Sequence, residues 1–234
     1  MFGLGTSGAQ HVVDALSRSQ AIIEFDLQGN ILGANENFCK ALGYRLEEIK
    51  GKHHSIFCDP AYVASAEYRQ FWSTLSSGKF DAGEYKRISK TGEEIWIQAS
   101  YNPVLRGGKP IKVVKIASDV TAIKVKATED AAKLSAISHS QAVIEFTPQG
   151  EILDANENFC QGLGYSLSEI KGQHHRMFCA PAYAASQEYA AFWQRLAAGE
   201  FIADEFVRFG KGGKEIWIQA AYNPIRNLKG QVYK

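Results

Sequence analysis

Short β-type runs, amphipathic helical stretches and glycine turns alternate in one order along this chain, and the order occurs twice. The text from Ser19 to Val104 returns at Ser140 to Ile225, shifted by 121 positions without a gap. The units of solenoid proteins are only ~20–50 residues long, so a repeat of this length indicates the duplication of a whole domain. The chain of 234 residues is therefore expected to hold two domains, each with a small core of its own.

The first half of each copy predicts a hairpin followed by short helices. In the first copy, two β-rich runs flank a glycine turn, at Ala21–Phe25 and Ile31–Ala34. Asn35 then stands where a helix cap is expected. The segment His53–Tyr62 has no clear period and is predicted to be irregular. The clearest helix follows it, and its apolar stripe consists of Ala64, Tyr68, Phe71, Trp72 and Leu75.

The second half of the copy predicts three strands, at Phe80–Ile88, Glu94–Tyr101 and Ile111–Ala117. In the middle strand alternate apolar residues share one face, and Trp96 stands on the opposite face. The order β-β-α-α-loop-α-β-β-β favours an α+β domain, an antiparallel sheet with its helices gathered on one face.

The repeat divides the chain into an N-terminal helical cap at 1–18, a first domain at 19–120, a linker helix at 121–139 and a second domain at 140–234. The linker has apolar residues at alternating spacings of three and four, typical of a helix that packs along a partner. These residues are Val120, Ile123, Ala127, Leu134 and Ile137. The text of the second copy stops at the lead-in to its last strand, which we interpret as truncation.

Composition excludes several classes of function. The formal net charge is +1, and basic residues are interspersed with acids, so the sequence has no footprint of nucleic-acid binding. No apolar run is long enough for a membrane span, and no secretory signal is evident at the N-terminus. We therefore expect a cytoplasmic protein with free thiols at its four cysteines, Cys39, Cys58, Cys160 and Cys179.

Several motifs recur at matching distances in the two copies. In the first copy they are Ala34-Asn35-Glu36-Asn37-Phe38, Gly43-Tyr44, Glu48-Ile49-Lys50-Gly51, Arg87, Lys90-Thr91-Gly92, Trp96, Asn102-Pro103 and Asp119-Val120-Thr121. The second copy repeats the set from Ala155-Asn156 to Asn223-Pro224 but lacks the final Asp-Val-Thr. This spaced set resembles the PAS family and covers nearly the whole chain.

The resemblance implies two sensory domains, each with a five-stranded antiparallel sheet in the order 2-1-5-4-3. The two-domain arrangement is similar to soluble methyl-accepting chemotaxis proteins of the biofilm-dispersion type and to the sensor of aerotaxis receptors. It implies a homodimer whose signalling helices act on a histidine kinase through an adaptor. Because the fifth strand is central in that order, its loss would disturb the second sheet.

Adjacent histidines precede a cysteine in both copies, at His53, His54 and Cys58 and again at His174, His175 and Cys179. One interpretation is axial ligation of haem or a zinc site, because imidazole and thiolate are good ligands. Adjacent histidines point in different directions, however, and the spacing of a closed zinc site is missing. We therefore favour a structural loop, predict no metal site and keep haem as the alternative.

Two further groups of residues are candidates for ligand binding. Trp72 and Trp193 are able to stack on FAD, although an apolar helical stripe is more often core. The asparagines are able to bind a ligand's edge or to cap helices. The candidate cofactor-binding residues are thus Asn35, Asn37, His53, His54, Trp72, Asn156, Asn158, His174, His175 and Trp193.

The function predicted from these features is a cytosolic sensory and signal-transduction module, the tandem input region of a chemoreceptor. It would relay redox, oxygen or small-ligand signals. In this hypothesis, the strand that ends at Asp119 moves the helix that starts at Thr121. No residue spacing selects a catalytic triad, so no enzymatic activity is expected in this chain. The alternatives are the sensory half of a histidine kinase or diguanylate cyclase, and a dimerisation scaffold with empty pockets.

Overall fold

The computed structural model describes residues 6–234, which belong to two compact units, 1–129 and 130–234. The helices of the first half are α1 (Thr6–Ser19), α2 (Glu36–Leu42), α3 (Leu46–Ile49), α4 (Pro60–Ala64) and α5 (Ala66–Ser76). Its strands are β1 (Ala21–Phe25), β2 (Ile31–Ala34), β3 (Asp81–Ile88), β4 (Glu94–Arg106) and β5 (Lys109–Asp119). Helix α6 (Thr121–Ser140) leads into the second half.

The second half repeats these elements up to its second hairpin. Its helices are α7 (Glu157–Leu163), α8 (Leu167–Ile170), α9 (Pro181–Ala184) and α10 (Gln187–Ala198). Its strands are β6 (Ile144–Phe146), β7 (Ile152–Ala155), β8 (Ile202–Phe209) and β9 (Glu215–Tyr222). The described part of the chain has no helix that is both long and apolar enough for a membrane crossing.

The strands of the first unit form one antiparallel sheet in the order β2-β1-β5-β4-β3, as predicted. Strand β5 is central, where Lys115 pairs with Ile23 of β1 and with Tyr101 of β4. Alternate residues of a strand face one side of the sheet, and here that side is covered by the helices. The core is therefore built from one face of every central strand, and it includes the fully buried Phe25 and Val113.

Local sequence explains where the short helices begin and end. Asn35 accepts a hydrogen bond from the Phe38 amide and so caps α2, and Gly43 ends that helix with φ of +73°. The segment His53–Tyr62, predicted to be irregular, instead contains a 3₁₀ turn from His54 to Phe57 and the start of α4. The reason is capping, because the His53 side chain accepts from the Ser55 amide and a capping aspartate precedes the proline of α4.

In the second unit the two hairpins, β6–β7 and β8–β9, form separate two-stranded sheets within residues 130–234. The final residues begin the pairing that β4 and β5 make in the first unit, through a bridge between Arg226 and Val232. Lys234 binds Glu145 at 2.8 Å, as Lys112 binds Glu24 at 2.8 Å in the first unit. The buried residues of this unit fall into two clusters, around Ile152 and around Trp193.

Helix α6 is exposed along the apolar residues that the sequence assigned to a partner-facing seam. Ile123 is 72% exposed and Leu134 is 68% exposed within this chain. The helix predicted in the N-terminal cap is α1, and Met1–Gly5 lie outside the described residues.

Candidate functional site

The core of the first unit contains a polar cluster centred on the fully buried imidazole of His54. Its Nδ1 lies 2.9 Å from the Tyr68 hydroxyl, and its Nε2 lies 3.1 Å from the Tyr101 hydroxyl. The Cys58 Sγ atom lies 3.6 Å from the same Nδ1. The residues come from the 3₁₀ turn, α5 and β4, so only the tertiary fold brings them together.

Both ring nitrogens of this histidine are bonded to tyrosine hydroxyls. Arg87 Nη2 donates to the Tyr101 hydroxyl at 2.8 Å, and a guanidinium has no acceptor. A hydroxyl both donates and accepts, so the two tyrosines satisfy His54 in either neutral tautomer. Burial lowers the pKa of His54 well below its ordinary value, and the charges of Arg87 and Lys115 lower it further, so the ring is neutral.

Two cationic side chains are buried beside this histidine without a carboxylate. Arg87 is 2% exposed and Lys115 is 1% exposed, and neither forms an ion pair within residues 6–234. The Lys115 Nζ atom lies 5.0 Å from the ring centroid of Tyr101 and 5.4 Å from that of Phe38. Burial, followed by the charge of Arg87, lowers the pKa of Lys115 well below its ordinary value. The lowered pKa of Lys115 favours its neutral amine, so Arg87 is the lasting positive charge of this cluster.

The aromatic wall of the cluster is closely packed around Trp72. The indole lies edge-to-face with Phe25 and His54, with ring centroids 5.5 Å apart in both pairs. Its buried nitrogen lies near the Tyr68 hydroxyl but forms no hydrogen bond of normal geometry. A Cβ atom on Gly29, whose φ is +89°, would lie 2.8 Å from the indole. The glycine is needed here because no larger residue fits.

The second unit contains the same cluster around His175. Its Nδ1 lies 2.9 Å from the Tyr189 hydroxyl and its Nε2 lies 3.1 Å from the Tyr222 hydroxyl. Arg208 donates to Tyr222 at 3.2 Å, and Trp193 packs edge-to-face on His175 at 5.4 Å. Burial, assisted by the Arg208 charge, lowers the pKa of His175 to about 3. The described part of this unit has no counterpart of Lys115.

The other two histidine candidates lie at the edge of the clusters. His53 caps the 3₁₀ turn through Ser55 and has its Nε2 2.9 Å from the Gln28 carbonyl oxygen. His174 caps the corresponding turn of the second unit, where burial lowers its pKa. Both side chains thus position the loop that carries the buried histidine.

The asparagine candidates join the preceding helix to the sheet. Asn35 accepts from the Ile22 amide at 2.9 Å and donates to the Gln20 carbonyl at 2.8 Å, and Asn37 donates to the Ser17 carbonyl at 3.0 Å. In the second unit, the corresponding bonds of Asn156 and Asn158 reach the end of α6. Asn156 donates to the carbonyls of Ser138 and Gln141, both at 2.7 Å, and Asn158 donates to the His139 carbonyl at 3.0 Å.

The arrangement does not fit the cofactors considered from the sequence. Both ring nitrogens of His54 and of His53 are engaged in hydrogen bonds, so neither offers a free nitrogen to a haem iron. Trp72 is 9% exposed and packs against four rings, those of Phe25, His53, His54 and Phe71, none of them stacked on it, so its indole is part of the core and not the open wall of a flavin site. Within residues 6–234, no three His, Cys, Asp or Glu side chains converge as metal ligands would.

The start of α6 directly follows the central strand β5 and is hydrogen-bonded to the neighbouring strand β4. Thr121 Oγ1 accepts from the Trp96 amide at 2.9 Å, and the Val120 amide donates to the Trp96 carbonyl at 2.8 Å. Lys124, one turn on, places its ammonium 4.8 Å from the centre of the Trp96 indole and 2.5 Å from a carboxylate oxygen of Glu84. Trp96, which the sequence places on the face opposite the apolar one, is thus covered by the lysine side chain.

Sequence reasoning missed the polar partners of the buried histidines. The apolar stripe of α5 includes Tyr68, and Tyr101 lies on the apolar face of β4, so the pattern alone gives neither hydroxyl a polar partner. A signal was present, because Lys115 alternates in register with Val113 and Ala117 and so faces the core. A charged residue at a core position indicates a specialised site.

Comparison with known proteins decides the family. The sequence profile of the PAS fold matches residues 31–117 and 152–234, together more than half of the chain. The chain belongs to the PAS fold family. The predicted α+β fold and the sensory, signal-transduction class are thereby confirmed, and the two units contain the two PAS regions.

Three known proteins are similar in sequence to these PAS domains. The biofilm dispersion protein BdlA of Pseudomonas aeruginosa is 46% identical over 94% of this chain and 53% of its own length. The aerotaxis receptor of Escherichia coli K12 is 32% identical over 44% of this chain and 20% of its own length. The oxygen sensor protein DosP of the same organism is 24% identical over 93% of this chain and 29% of its own length. The chain spans about half the length of BdlA and less than a third of the length of the other two proteins.

Proposed function

We propose that this chain is the tandem PAS input region of a chemoreceptor, which relays redox, oxygen or small-ligand signals through helices to a downstream output domain. The observation that carries the proposal is the junction between β5 and α6. Thr121 bonds the helix start to the Trp96 backbone of β4 at 2.9 Å, and β5, which pairs with β4, ends at Asp119 just before the helix, so a shift of these paired strands moves the helix. The similarity to BdlA and to the aerotaxis receptor supports the chemoreceptor context.

The last turn of α6 is hydrogen-bonded to the second domain, which extends the proposed relay to that domain. Asn156 donates to the Ser138 carbonyl in the last turn of α6, as Asn35 donates to the Ser17 carbonyl in α1. One helix therefore follows the sheet of the first PAS domain and caps the second. A ligand acts on such a relay only through its different affinities for two packings of the strand and helix.

We further propose that the chain acts in the cytoplasm as a homodimer and has no catalytic activity of its own. The exposed seam of α6 supports association with a second copy, since Ile123 and Leu134 are more than two-thirds exposed. The downstream signalling helices and the kinase–adaptor complex belong to the same proposal. The clustered histidines and tyrosines are buried, which favours a sensory over a catalytic use.

A chimera tests the function. This chain replaces the matched region of BdlA, and biofilm dispersion is measured in cells that lack the native protein. We expect the chimera to restore dispersion and Thr121→Val, which removes the junction bond, to abolish the response while the protein remains folded by circular dichroism. Ser118→Ala, on β5, removes a hydroxyl that donates to Gln20 and takes no part in the bonds to Trp96; it is the control and should respond normally. A chimera that folds and yet gives no response would contradict the chemoreceptor assignment.

The alternative is the PAS half of a histidine kinase or diguanylate cyclase, since PAS domains also serve such enzymes. Fusion of the chain to a kinase core distinguishes the two. Signal-dependent autophosphorylation together with an inactive chemoreceptor chimera would favour the enzyme input.

A further inference from the structure

Helix α6 packs on the first PAS domain through its first turn. Thr121 and Lys124 are partly buried there, whereas residues 125–137 are all exposed within this chain. The next partly buried residue is Ser138, which bonds Asn156 of the second domain. Lys124 is therefore the last side chain of α6 that packs on the first sheet, and the groups that hold it set the direction in which the helix leaves that sheet.

The backbone bonds of the junction are gathered before that lysine. The Val120 amide donates to the Trp96 carbonyl at 2.8 Å, and Thr121 Oγ1 accepts from the Trp96 amide at 2.9 Å. The Thr121 amide donates to Asp119 Oδ1 at 2.8 Å. Bonds at one end of a helix fix its position but leave its axis free to tilt about them. We call these bonds the hinge, and Lys124 lies about 4.5 Å further along the axis.

The Lys124 side chain joins the helix to two strands. Its ammonium lies 4.8 Å from the centre of the Trp96 indole on β4 and 2.5 Å from Oε2 of Glu84 on β3. The two charged side chains are 40% and 48% exposed, so each contact is weak by itself and is screened by salt. Together they hold the helix at a second point, away from the hinge, which fixes its direction. A weak contact is readily broken, as a switch between two packings requires.

The second PAS domain contains an uncovered reference for this tryptophan. Its hairpin has Trp217 and Glu205 at the positions of Trp96 and Glu84. Trp217 is 68% exposed, whereas Trp96 is partly buried. The hairpin alone therefore does not bury a tryptophan at this position. The residue paired with the tryptophan also differs, because the first domain has a lysine there, residue 86, and the second has a valine.

We propose that Lys124 is a positioning residue for α6, a latch that holds the first turn of the helix between Trp96 and Glu84. When the latch opens, the helix tilts about the hinge and Trp96 becomes as exposed as Trp217. Because Trp96 and Glu84 lie on neighbouring strands, a shift of either strand opens the latch. This deepens the proposed function by naming the residue that sets the direction of the helix, and it rests on that function only for the use of the tilt as a signal.

Fluorine NMR of the purified chain, labelled with 5-fluorotryptophan, tests the latch. The chain has four tryptophans, and Trp96→Phe and Trp217→Phe assign the two resonances of interest. The shift of each resonance between H2O and D2O measures the exposure of that ring. We expect a smaller isotope shift for Trp96 than for Trp217 in the unaltered chain. Lys124→Gln should raise the Trp96 value to that of Trp217.

The direction of the helix is measured separately. Residual dipolar couplings of the α6 amides, compared with those of the sheet amides, report the angle between helix and sheet. Lys124→Gln should reduce the α6 couplings and leave the sheet couplings unchanged, because an unlatched helix samples several directions. A lysine that only stabilised the fold would alter the free energy of unfolding without this selective loss.

Further variants test whether charge closes the latch. Lys124→Arg should behave as the unaltered chain, because a guanidinium forms both contacts. Glu84→Gln should expose Trp96 in part, with no further effect in the presence of Lys124→Gln, since both residues act through one bridge. Sodium chloride raised from about 0.05 M to about 0.5 M should expose Trp96 in the unaltered chain but change nothing in Lys124→Gln.

Lys86→Val is the matched control, because it gives the first domain the residue that the second has opposite its tryptophan. The lysine it removes is paired with Glu94 at 2.9 Å and is exposed to a similar extent as Lys124. This variant should retain both the low isotope shift of Trp96 and its response to salt.

Three results would overturn the proposal: a Trp96 ring that stays covered in Lys124→Gln, a salt response that persists in that variant, or α6 couplings that do not change when Trp96 becomes exposed. These measurements use the chain alone and are independent of the chimera experiment. A working chimera in which Lys124→Gln leaves the α6 couplings unchanged would refute the latch alone.

Discussion

Nε2 of His54 lies 3.1 Å from the hydroxyl of Tyr101, although 47 positions separate the two residues in the chain. The same hydroxyl accepts from Arg87 at 2.8 Å, so one phenol satisfies both groups. A buried polar group that loses its only partner costs about 1–3 kcal/mol. The hydroxyl of Tyr101 therefore contributes to the stability of the first PAS domain in addition to the burial of its ring.

Tyr101→Phe is expected to lower the free energy of unfolding by about 1–3 kcal/mol, because His54 and Arg87 each lose a partner. Urea unfolding followed by tryptophan fluorescence measures the change. Tyr85→Phe is the control, since its hydroxyl bonds Asp81 and the second domain has Phe206 at that position. An equal loss of unfolding free energy in the two variants would show that the buried bonds of Tyr101 contribute no more to stability than the bond of Tyr85 to Asp81.

Lys115→Met is expected to stabilise the first PAS domain by about 1–3 kcal/mol, because it removes a buried amine that no carboxylate compensates. The thioether side chain is of similar length and packs on the same rings of Phe38 and Tyr101. Lys112→Met, at a partly exposed ion pair three residues away, should change stability by less than about 1 kcal/mol. A destabilised Lys115→Met protein would mean that the ammonium makes a favourable interaction in the core.

Acid should destabilise both domains in a window set by the buried histidines. The pKa of His54 lies well below its ordinary value and that of His175 is about 3, so the unfolded chain binds these protons first as the pH falls. Their contribution is complete above about pH 6.5 and is lost as the pH falls toward the folded pKa, at about 1.4 kcal/mol per pH unit for each histidine. Urea midpoints between pH 7 and pH 4.5 measure the slope.

The carboxylates whose pKa values are lowered to about 2, Glu48 and Glu169, contribute only below that window. His175→Asn should therefore reduce the number of protons taken up on unfolding by one, which lowers the slope of unfolding free energy against pH. His139→Gln, on the exposed part of α6, should leave that slope unchanged. A flat profile from pH 7 to pH 4.5 would contradict the assignment of neutral buried rings.

Gly29→Ala is expected to destabilise the first domain by roughly 2 kcal/mol or more, because its φ of +89° strains any other residue. The added Cβ atom would also lie 2.7 Å from Nε2 of His53 and 2.8 Å from the Trp72 ring. Gly33→Ala is the matched control, because no atom lies within 4 Å of its Cβ position. The midpoint temperature of thermal unfolding of Gly29→Ala should be well below that of both Gly33→Ala and the unaltered protein.

The proposed dimer predicts that the α6 seam controls association. Ile123→Glu with Leu134→Glu should convert the dimer to monomer in sedimentation velocity, without a loss of helical signal. Val125→Glu makes the same kind of change at a residue that is 59% exposed but lies off the seam, and it should remain dimeric. Dimers that persist in the seam variant would place the interface elsewhere.

The elements of the fold were largely predictable because they depend on local patterns. The stripe of α5 and the capping role of Asn35 follow from spacing alone, and both are present. The short 3₁₀ turn at His54–Phe57 was missed because its stability comes from side-chain caps and from the aromatic groups packed around it.

The candidate site was only partly predictable. The adjacent pair His53 and His54 was predictable as a candidate site. Its spacing does not determine that His53 caps a turn while His54 is fully buried. The partners of the buried ring lie on α5 and β4, far away in the chain, and their identity depends on which strands are neighbours.

By itself, the sequence determined that one domain is duplicated, which residues form its helices and strands, and, through its spaced motifs, that the family is PAS. These are properties of spacing along the chain, which local geometry converts directly into elements. Only the tertiary structure decided that His54, Tyr101, Arg87 and Lys115 share one core and that Lys124 lies on Trp96. The physical reason is that the pairing of β5 between β1 and β4 sets these contacts, and sheet pairing joins residues far apart in sequence.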